Sequence, residues 1–429
     1  MTDNKPLDDC FRPGQSLLAH AAAVRLLQER IRPVVGFETV PLGMAGGRIL
    51  GSGVVASFPV PAHTNAAVDG FAFSSQDLEL AKGGTLAISG RAAAGHPLVV
   101  ALEPQTAVEI LTGAVMPSGL DTVAMQEDCT RLTNDAGRPT VRLPAGLRAG
   151  ANVRRAGEDV AAGTELFTAG HVLRPQDLAA LASIGMAEVR CFKPLEIAIV
   201  STGDEVVRAG SRALGPGEVY DANVPMLANL ATLAGARVSD LGVWPDDANE
   251  IKRRLAAAAE TFDLILTSGG ASKGAEDHMA ASLGALGHRH FWEIAVKPGR
   301  PMMLGQIGRA SIVGLPGNPV AVFVCFLMYV FPMIRALSGA PWPEPRRFML
   351  PAAFAFPKRK LGRREFWRGM LVDTAGGLAV DKFARDGSGL ISGLRAADGL
   401  IDCAEDRPSV SPGEPIAFIP FTEFGILGR

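Results

Sequence analysis

The sequence predicts a multidomain protein that combines an α/β domain with separate β domains. At 429 residues the chain is too long for one ordinary core, since domains average about 150 residues. Between residues 194 and 340, continuous apolar strands alternate with helices, which is typical of a doubly wound parallel sheet with both faces covered. Short apolar runs broken by Gly and Pro on either side of this region indicate β structure.

The first part of the chain predicts a helix followed by a small β domain. Apolar residues recur at helical spacing over residues 16–31, just before Pro33. From about residue 60 to 145, short alternating runs such as 107–111 are separated by turn residues. A helical pattern returns over residues 175–184 and leads into a short strand.

Strands and helices then alternate through the predicted α/β domain. The predicted strands cover residues 196–200, 238–243, 264–267 and 311–315, and the predicted helices cover residues 225–234, 249–260, 277–286 and 319–337. Three prolines within residues 341–345 predict a stiff linker. Residues 346–429 predict short strands and therefore a C-terminal β domain.

Charge and cysteine content exclude several classes of protein. The formal net charge of −2 excludes a global attraction to nucleic acid or to anionic membranes. The five cysteines form no C-x-x-C motif, and the first residues are not followed by the apolar core of a signal peptide. The most apolar run, residues 320–334, is shorter than the roughly 20 residues that span a bilayer. We therefore expect a reduced, cytoplasmic protein with a buried helix in this region.

Glycine-rich polar loops follow the predicted strands of the α/β domain. They are residues 201–205, 267–274 and 315–319. Ligands of open α/β sheets bind at the carboxyl ends of strands, where glycines admit the backbone close to a phosphate. The alternative is ordinary turn chemistry, which is favoured for one such loop alone, whereas three such loops in one domain favour a ligand site. Lys297 and Arg300 add two cations nearby, which suits a phosphorylated substrate.

Carboxylates also collect in loops, where they could hold Mg²⁺ against a substrate phosphate. They are Asp69, Asp159, Asp204, Glu205, Asp221, Asp246 and Asp277. Any one of them could instead form a turn or cap a helix. His288 and His290 share one face of a predicted strand, where packing is the alternative to a metal role. No G-x-S-x-G elbow or Walker P-loop is present.

Ten short motifs occur in an order that resembles one known family. They are N-A-A-V-D-G-F-A (65–72), L-T-G-A (111–114) with M-Q-E (125–127), R-R-A-G-E-D (154–159), S-T-G-D-E (201–205), Y-D-A-N (220–223), T-S-G-G-A-S-K-G (267–274), K-P-G-R-P (297–301), L-P-G-N-P (315–319), E-F-W-R-G (365–369) and G-S-G (387–389). The chain resembles the molybdopterin molybdenumtransferases, the molybdenum insertases related to the E domain of gephyrin, from about residue 14 to its end.

The resemblance implies four domains and a homodimer. An elongated domain would be made from two segments, 14–60 and 145–193, with a small β domain at 61–144 inserted between them. An α/β molybdopterin-binding domain would cover 194–340, and a C-terminal β barrel would cover 341–429. The last two assignments agree with the strand and helix patterns described above.

The resemblance also implies a reaction. Enzymes of this family insert molybdenum from molybdate into adenylylated molybdopterin, with Mg²⁺-dependent release of AMP. The implied catalytic residues are Asp69, Thr112, Asp159, Glu205, Asp246 and Asp277, of which Asp69, Glu205 and Asp277 are the expected metal ligands. The expected substrate-binding residues lie mostly in the loops described above. They are Gly269, Gly270, Ser272, Lys273, Lys297, Arg300, Pro316, Asn318, Pro319, Arg368 and Ser388. Arg368 and Ser388 would face a cleft completed across the dimer. Further partners implied are the molybdopterin adenylyltransferase and downstream molybdoenzymes or their chaperones.

Four departures from the family motifs bear on function. Val68 replaces Met, Ala222 replaces Ser or Thr, and Lys273 stands where a small apolar residue is common. Glu293 stands where a second lysine often precedes the Lys297 motif. Our hypothesis is that Lys273 compensates for the charge lost at Glu293.

Other classes of function compete with the enzyme. A non-catalytic molybdopterin or molybdenum cofactor carrier is favoured by Ala222 and Glu293 and opposed by the intact set of carboxylates. A receptor-clustering scaffold of the gephyrin branch is disfavoured because these 429 residues predict no additional adenylyltransferase domain. A Rossmann oxidoreductase is disfavoured because no G-x-G-x-x-G follows a strand.

Overall fold

The N-terminal segment supplies one helix and three short strands. The computed structural model describes residues 17–269 and 278–428. The elements of this segment are α1 (His20–Arg30), β1 (Phe37–Pro41), β2 (Val54–Val55) and β3 (Asn65–Ala66). Helix α1 begins at His20 rather than at residue 16, because Leu18 forms a β-bridge with Ile294 and its N–H donates to the Glu293 carbonyl over 2.9 Å.

A small β domain follows, as the sequence predicts. Its strands are β4 (Gly70–Phe73), β5 (Gly84–Ala92), β6 (Thr106–Ile110), β7 (Thr122–Met125), β8 (Thr130–Thr133) and β9 (Pro139–Leu143). They form a sheet in the order β7-β4-β6-β5-β9-β8. Both faces of β4 and β6 are buried, one around Val108 and Ile110 and the other around Phe71 and Phe73.

The chain then returns to the strands that preceded the small β domain. The returning elements are β10 (Val153–Arg154), β11 (Glu165–Phe167), α2 (Pro175–Ser183) and β12 (Glu188–Phe192). Strand β10 pairs with β3, β11 with β2 and β12 with β1, each antiparallel. These nested pairs join the two chain segments into one unit.

The α/β domain is built on a mixed sheet with helices on both faces. Its elements are β13 (Glu196–Thr202), β14 (Val206–Val207), β15 (Val219–Tyr220), α3 (Asn223–Leu233), β16 (Arg237–Trp244), α4 (Ala248–Thr261), β17 (Leu264–Ser268), α5 (His278–Leu286), β18 (His288–Glu293), β19 (Val296–Lys297), β20 (Pro301–Ile307), β21 (Ala310–Leu315), α6 (Pro319–Cys325) and α7 (Phe331–Leu337). The sheet order is β16-β13-β17-β21-β20-β18. Helices α1, α3, α6 and α7 cover one face, and α4 and α5 cover the other.

The expectation of a parallel sheet is correct for β16, β13, β17 and β21 but wrong at one edge. Strands β18 and β20 are antiparallel to their neighbours. The turn between β20 and β21 contains only Gly308 and Arg309, and so short a connection joins antiparallel strands rather than parallel ones. The motif at Lys297 therefore lies in the connection between two antiparallel strands.

Helices α6 and α7 are continuous through a π-helical turn at Phe326–Val330. Within the described residues, the span Pro319–Leu337 is the one helix long and apolar enough to cross a membrane, with a mean hydropathy of 2.2. It is 94% buried inside the fold, so its apolar surface packs against the sheet and its neighbours. This confirms the prediction of a buried helix.

The C-terminal strands close into a β barrel. The elements are β22 (Phe348–Pro351), β23 (Arg364–Thr374), β24 (Gly377–Lys382), α8 (Ile391–Ala396), β25 (Gly399–Cys403) and β26 (Pro415–Pro420). The order is β24-β23-β25-β26-β22, and Ala352 closes the ring by a β-bridge to Val380. Strand β19 of the α/β domain pairs with β23, which sets Lys297 opposite Glu365.

Candidate functional site

A cleft of about 770 Å³ lies between the α/β domain and the barrel. The α/β domain contributes Gly269, Glu293, Lys297, Pro298, Gly299, Arg300, Pro301, Pro316, Gly317, Asn318, Val320 and Ala321, and the barrel contributes Phe366, Trp367, Arg368, Lys382, Phe383, Asp386, Gly387 and Ser388. We call this the central cleft. It brings together most of the predicted substrate-binding residues that the structure describes, and Pro319 begins α6 beside them.

A buried hydrogen-bond network ties the strand ends below the central cleft. The Asn223 side-chain amide donates to Ser268 Oγ over 2.8 Å and to the Gly317 carbonyl over 2.7 Å. Ser201 Oγ donates to Asp221 Oδ2 over 2.6 Å, and Asp221 Oδ1 accepts from the N–H groups that begin α3. This strand-end network (Ser201, Asp221, Asn223, Ser268, Gly317) joins the ends of β13, β17 and β21.

Two glycines let the backbone lie against the strand-end loops and the cleft floor. Gly269 has φ +91°, and a Cβ there would lie 3.1 Å from Thr202 Oγ1. Gly299 has φ +101°, and a Cβ there would lie 2.2 Å from the buried Cys325 Sγ. A side chain at Gly299 is therefore excluded by both backbone conformation and space.

Lys297 faces a buried carboxylate of the barrel. Its Nζ lies 3.9 Å from Oε2 of Glu365, whose side chain is 1% exposed. Glu365 also accepts from Trp367 Nε1 and from Arg363 Nε, both over 2.9 Å. The buried Glu365 carboxylate therefore places a fixed negative charge near the Lys297 ammonium, whose side chain is 43% exposed.

Arg368 shapes the loop that carries Ser388. Its guanidinium donates to the Leu390 carbonyl over 3.1 Å and to the Arg385 carbonyl, and it lies 5.0 Å from the Phe383 ring centroid. Burial lowers the pKa of Arg368. The Val320 N–H donates to the Ser388 carbonyl over 2.9 Å. Arg368 and Ser388 thus reach the central cleft within their own chain, so a second chain is not needed to place them there.

Acidic residues gather at the ends of β13 and β16. The Asp246 N–H donates to Asp204 Oδ1 over 3.2 Å, and Glu205 follows Asp204 directly. Partial burial and the Asp204 and Glu205 charges raise the pKa of Asp246. Within residues 17–269 and 278–428, none of the three forms an ion pair with Lys or Arg. Concentrated negative charge of this kind suits a hard cation.

Asp69 and Thr112 form a pair in the small β domain. Asp69 Oδ1 accepts from the Thr112 hydroxyl over 2.6 Å and from its N–H over 2.7 Å. These two bonds lower the pKa of Asp69, which keeps the exposed carboxylate ionised. Across the described parts of the chain, no hydrogen bond, ion pair or ring contact joins this pair to the α/β domain. Asp159 is exposed in the turn after β10, where its N–H donates to the Val60 carbonyl over 3.1 Å.

The expected metal ligands belong to different parts of the chain, and one of them is not described. Glu205 lies in the acidic group and Asp69 lies in the small β domain, whereas Asp277 falls outside the described residues, as do Gly270, Ser272 and Lys273. Of the residues that the structure describes, no three His, Cys, Asp or Glu side chains form a group able to hold a metal. His288 and His290 therefore belong to no such group.

Sequence reasoning missed Lys382 and Asp386, which line the barrel wall of the central cleft. Neither belongs to a recognised motif. One signal was present: strand alternation places Lys382 on the same face as Val380, and a lysine on the apolar face of a strand is unusual. It also missed that Asn223 of the Y-D-A-N motif bonds to two other strand-end loops.

Known proteins match this architecture along nearly the whole chain. Family models match for the MoeA N-terminal region (domain I and II) over residues 18–185, a probable molybdopterin binding domain over 198–336, and the MoeA C-terminal region (domain IV) over 350–421. The crystal structure of a molybdopterin biosynthesis moeA protein from Pyrococcus horikoshii OT3 superposes with a TM-score of 0.80 at 26% identity, covering 94% of this chain and 100% of that one.

Curated relatives agree with the family models. The molybdopterin molybdenumtransferase of Haemophilus influenzae is 36% identical over 386 residues, which cover 90% of this chain and 94% of the relative. Molybdopterin molybdenumtransferase 2 of Mycobacterium tuberculosis is 33% identical over 410 residues, which cover 93% and 98%. The resemblance found in the motifs is confirmed, and the chain belongs to the molybdopterin molybdenumtransferase family.

Proposed function

We propose that this protein is a molybdopterin molybdenumtransferase of molybdenum cofactor biosynthesis. It takes adenylylated molybdopterin and molybdate, inserts molybdenum and releases AMP. The observation that carries the proposal is the central cleft, where the strand-end loops of the α/β domain face Lys297, Arg300, Arg368 and Ser388. Both substrates are anions, and the cleft offers fixed cations beside glycine-rich backbone.

The residues of the cleft divide the work of binding. Gly269, Pro316 and Asn318 give a close backbone surface for the pterin, as expected at the carboxyl ends of parallel strands. Lys297 and Arg300 offset the charge of a phosphate or of molybdate from the side of the α/β domain. The cleavage needs no protein nucleophile, because the molybdate oxyanion can itself attack phosphorus. Arg368 acts through the loop that it holds, since its donors are already directed to backbone carbonyls.

The acidic group at the ends of β13 and β16 has the carboxylate chemistry that Mg²⁺ uses. We propose that Glu205 contributes to holding the ion, because it lies beside Asp204 and none of Asp204, Glu205 and Asp246 has a Lys or Arg partner among the described residues. Mg²⁺ commonly uses one or two carboxylates together with water and substrate phosphate, so a preformed set of three ligands is not required. When bound, the ion offsets negative charge on the phosphoanhydride.

We propose that the active enzyme is a homodimer. Asp69 and Thr112 occupy motif positions that the family resemblance implies are catalytic. The pair nevertheless does not line the central cleft of its own chain. In a dimer, the Asp69–Thr112 pair of one chain would complete the central cleft of the other chain. Coexpression of Asp69→Ala with Lys297→Gln tests this, since mixed dimers would regain one intact site while either variant alone has lowered activity.

The proposed function also implies a cellular compartment and partner proteins. We place the protein in the cytoplasm, in keeping with the free thiols of Cys129, Cys191, Cys325 and Cys403. The partners would be the enzyme that adenylylates molybdopterin and the molybdoenzymes or chaperones that receive the product.

The test is incubation of the purified chain with adenylylated molybdopterin, Mg²⁺ and molybdate, with AMP measured by chromatography. The proposal expects AMP release that depends on the protein and on molybdate. Tight binding of the pterin without AMP release would identify a carrier instead, and absence of both would reject the cleft as a pterin site.

A further inference from the structure

Lys382 places an ammonium group in the wall of the central cleft. It ends β24, and its side chain is only 8% exposed. Its Nζ lies 2.6 Å from Asp386 Oδ1 and 3.4 Å from the Phe383 carbonyl. Lysine side chains are rarely buried to this extent without a partner of opposite charge.

Aromatic rings fix the position of this ammonium. Its Nζ lies 5.5 Å from the Phe356 ring centroid and 5.7 Å from that of Trp367. The Trp367 ring is itself held, because its Nε1 donates to the buried Glu365 carboxylate that faces Lys297. Lys382 and Lys297 are therefore positioned by one connected set of side chains, on two walls of the same cleft.

The counterion is held much less firmly than the lysine. The Asp386 side chain is 48% exposed and belongs to the loop that leads to Ser388. Releasing the half-exposed Asp386 carboxylate to water costs little, because water can solvate it in place of the lysine. Leaving a buried ammonium without an anion is far more costly. Exchange of Asp386 for another anion at Lys382 is therefore the favourable change, whereas movement of Lys382 out to solvent is not.

We propose, on the basis of the function proposed above, that Lys382 binds a tetrahedral oxyanion of the substrates and that Asp386 is the counterion which this oxyanion displaces. The charge of the cleft agrees with this role. Lys297, Arg300, Arg368 and Lys382 line it, against Glu293 and Asp386. Lys382 would then supply the additional cation that the family motif places at position 293, where this chain has Glu293.

A purely structural ion pair makes a different prediction from an exchangeable one. If Lys382 and Asp386 only stabilise the loop, removing either charge should lower stability and should not strengthen anion binding. If Asp386 competes with the ligand, removing its charge should strengthen anion binding, whereas removing the charge of Lys382 should weaken it. The two signs separate the models.

The experiment measures dissociation constants of molybdate and, separately, of inorganic phosphate for the full chain by titration calorimetry. Lys382→Met keeps the aliphatic stem on the aromatic rings and should weaken binding about 10-fold or more, as expected for loss of a charge-assisted hydrogen bond. Asp386→Asn should strengthen binding about threefold. Lys360→Gln, at an exposed lysine that does not line the cleft, is the matched control and should leave both constants unchanged.

Lys297→Gln separates failure of this inference from failure of the proposed function. An effect confined to molybdate or to phosphate supports the inference and identifies which substrate group Lys382 binds. If Lys297→Gln weakens binding while Lys382→Met and Asp386→Asn do not change it, the inference is overturned. If neither the Lys297 nor the Lys382 substitution changes anion binding, or if the wild-type chain binds neither anion, both the inference and the assignment of the central cleft as the substrate site are overturned. If Lys382→Met fails to fold by circular dichroism, Asp386→Asn alone decides, since it keeps the lysine.

Discussion

Asp69 offers the clearest test of a single residue outside the central cleft. Its carboxylate is exposed and accepts two hydrogen bonds from Thr112, so it carries charge without supporting a core. We expect Asp69→Ala to lower AMP release at least about 100-fold, the size expected when a preorganised charged group is lost from a catalytic site. The melting temperature should stay near that of the wild type.

Asp77→Ala gives the matched comparison for Asp69→Ala. Asp77 is another partly exposed aspartate of the small β domain, and its Oδ2 accepts from the Gln105 N–H over 3.0 Å. It belongs to no family motif, so AMP release should be unchanged. Equal activity of the Asp69→Ala and wild-type proteins would remove Asp69 from the functional site.

His20 is a buried titratable residue where α1 meets the core and the barrel. Its Nδ1 lies 2.8 Å from the Tyr329 hydroxyl, and its ring contacts Phe366. Burial, followed by the Arg364 charge, lowers the pKa of His20 from 6.5 to about 4. The folded protein therefore keeps this imidazole neutral where an unfolded chain would protonate it.

This shift predicts a dependence of stability on pH. The unfolded chain takes up the proton near pH 6.5 and the folded chain only near pH 4. The stability that neutral His20 contributes is complete above pH 6.5, and it is lost as the pH falls from 6.5 to about 4. We expect the free energy of unfolding to drop by about 2 kcal/mol from His20 alone between pH 7.5 and pH 5, measured by urea denaturation. His20→Gln should remove that part of the slope, while His63→Gln, at an exposed histidine, should retain it. Identical slopes for His20→Gln and the wild type would contradict the assignment.

At the level of elements, the strand-end network explains why three separate loops form one surface. Asn223 begins α3, yet its amide bonds to the loops that follow β17 and β21. Asp221 fixes the same helix start and accepts from Ser201 at the end of β13. Substitution at Asn223 should therefore affect both stability and ligand binding.

Asn223→Ala should lower the free energy of unfolding by about 1–3 kcal/mol, since the buried Ser268 hydroxyl and the part-buried Gly317 carbonyl lose their donor. Binding of molybdopterin should weaken as well, because the loops at Ser268 and Gly317 lose their common anchor. Asn229→Ala is the control on the same helix: its amide bonds to the Pro225 carbonyl at an exposed position, and the change should stay within about 0.5 kcal/mol. Comparable losses of stability and binding in the two variants would show that both effects arise from helix α3 and not from the strand-end network.

Individual elements of the α/β domain follow from local sequence, and their exceptions have tertiary causes. The predicted helices at residues 249–260 and 319–337 lie within one residue of the observed bounds. Helix α1 begins later than the helical pattern predicts, because the bridge between Leu18 and Ile294 overrides that pattern. The antiparallel edge strands were missed because apolar content alone does not reveal strand direction.

At the scale of the whole molecule, the hydrophobic cores connect some domains and separate others. One core contains residues of α1, the α/β sheet and the barrel, and it includes contacts of Phe323 with Phe421 and of Phe331 with Phe424. The cores of the small β domain contain only residues of that domain and its immediate flanks. The α/β domain and the barrel should therefore unfold together, and the small β domain should unfold separately.

Hydrogen exchange measured by mass spectrometry tests this division. Phe421→Ala should reduce protection in both the barrel and the α/β sheet, with a loss of about 3–5 kcal/mol, and should leave β4–β9 unchanged. Phe71→Ala, at a buried phenylalanine of the small β domain, should have the converse effect. Loss of protection confined to the barrel in Phe421→Ala would contradict a shared core.

The central cleft illustrates what the sequence could not predict at this scale. The loops at Gly269 and Asn318 were expected to meet, because parallel strands end at one edge of a sheet. Lys382 and Asp386 could not be placed, because they reach the cleft only through closure of the barrel and the pairing of β19 with β23. Both contacts are distant in sequence and carry no local pattern.

The most direct test of the central claim follows AMP and molybdenum together in a single turnover. The purified chain is mixed with adenylylated molybdopterin, Mg²⁺ and molybdate, and AMP is measured by chromatography while molybdenum in the pterin product is measured by mass spectrometry. We predict that AMP and molybdenum-containing pterin appear in equal amounts, that both require molybdate, and that Lys297→Gln slows both. Release of AMP without molybdenum in the pterin, or at the same rate without molybdate, would contradict the account.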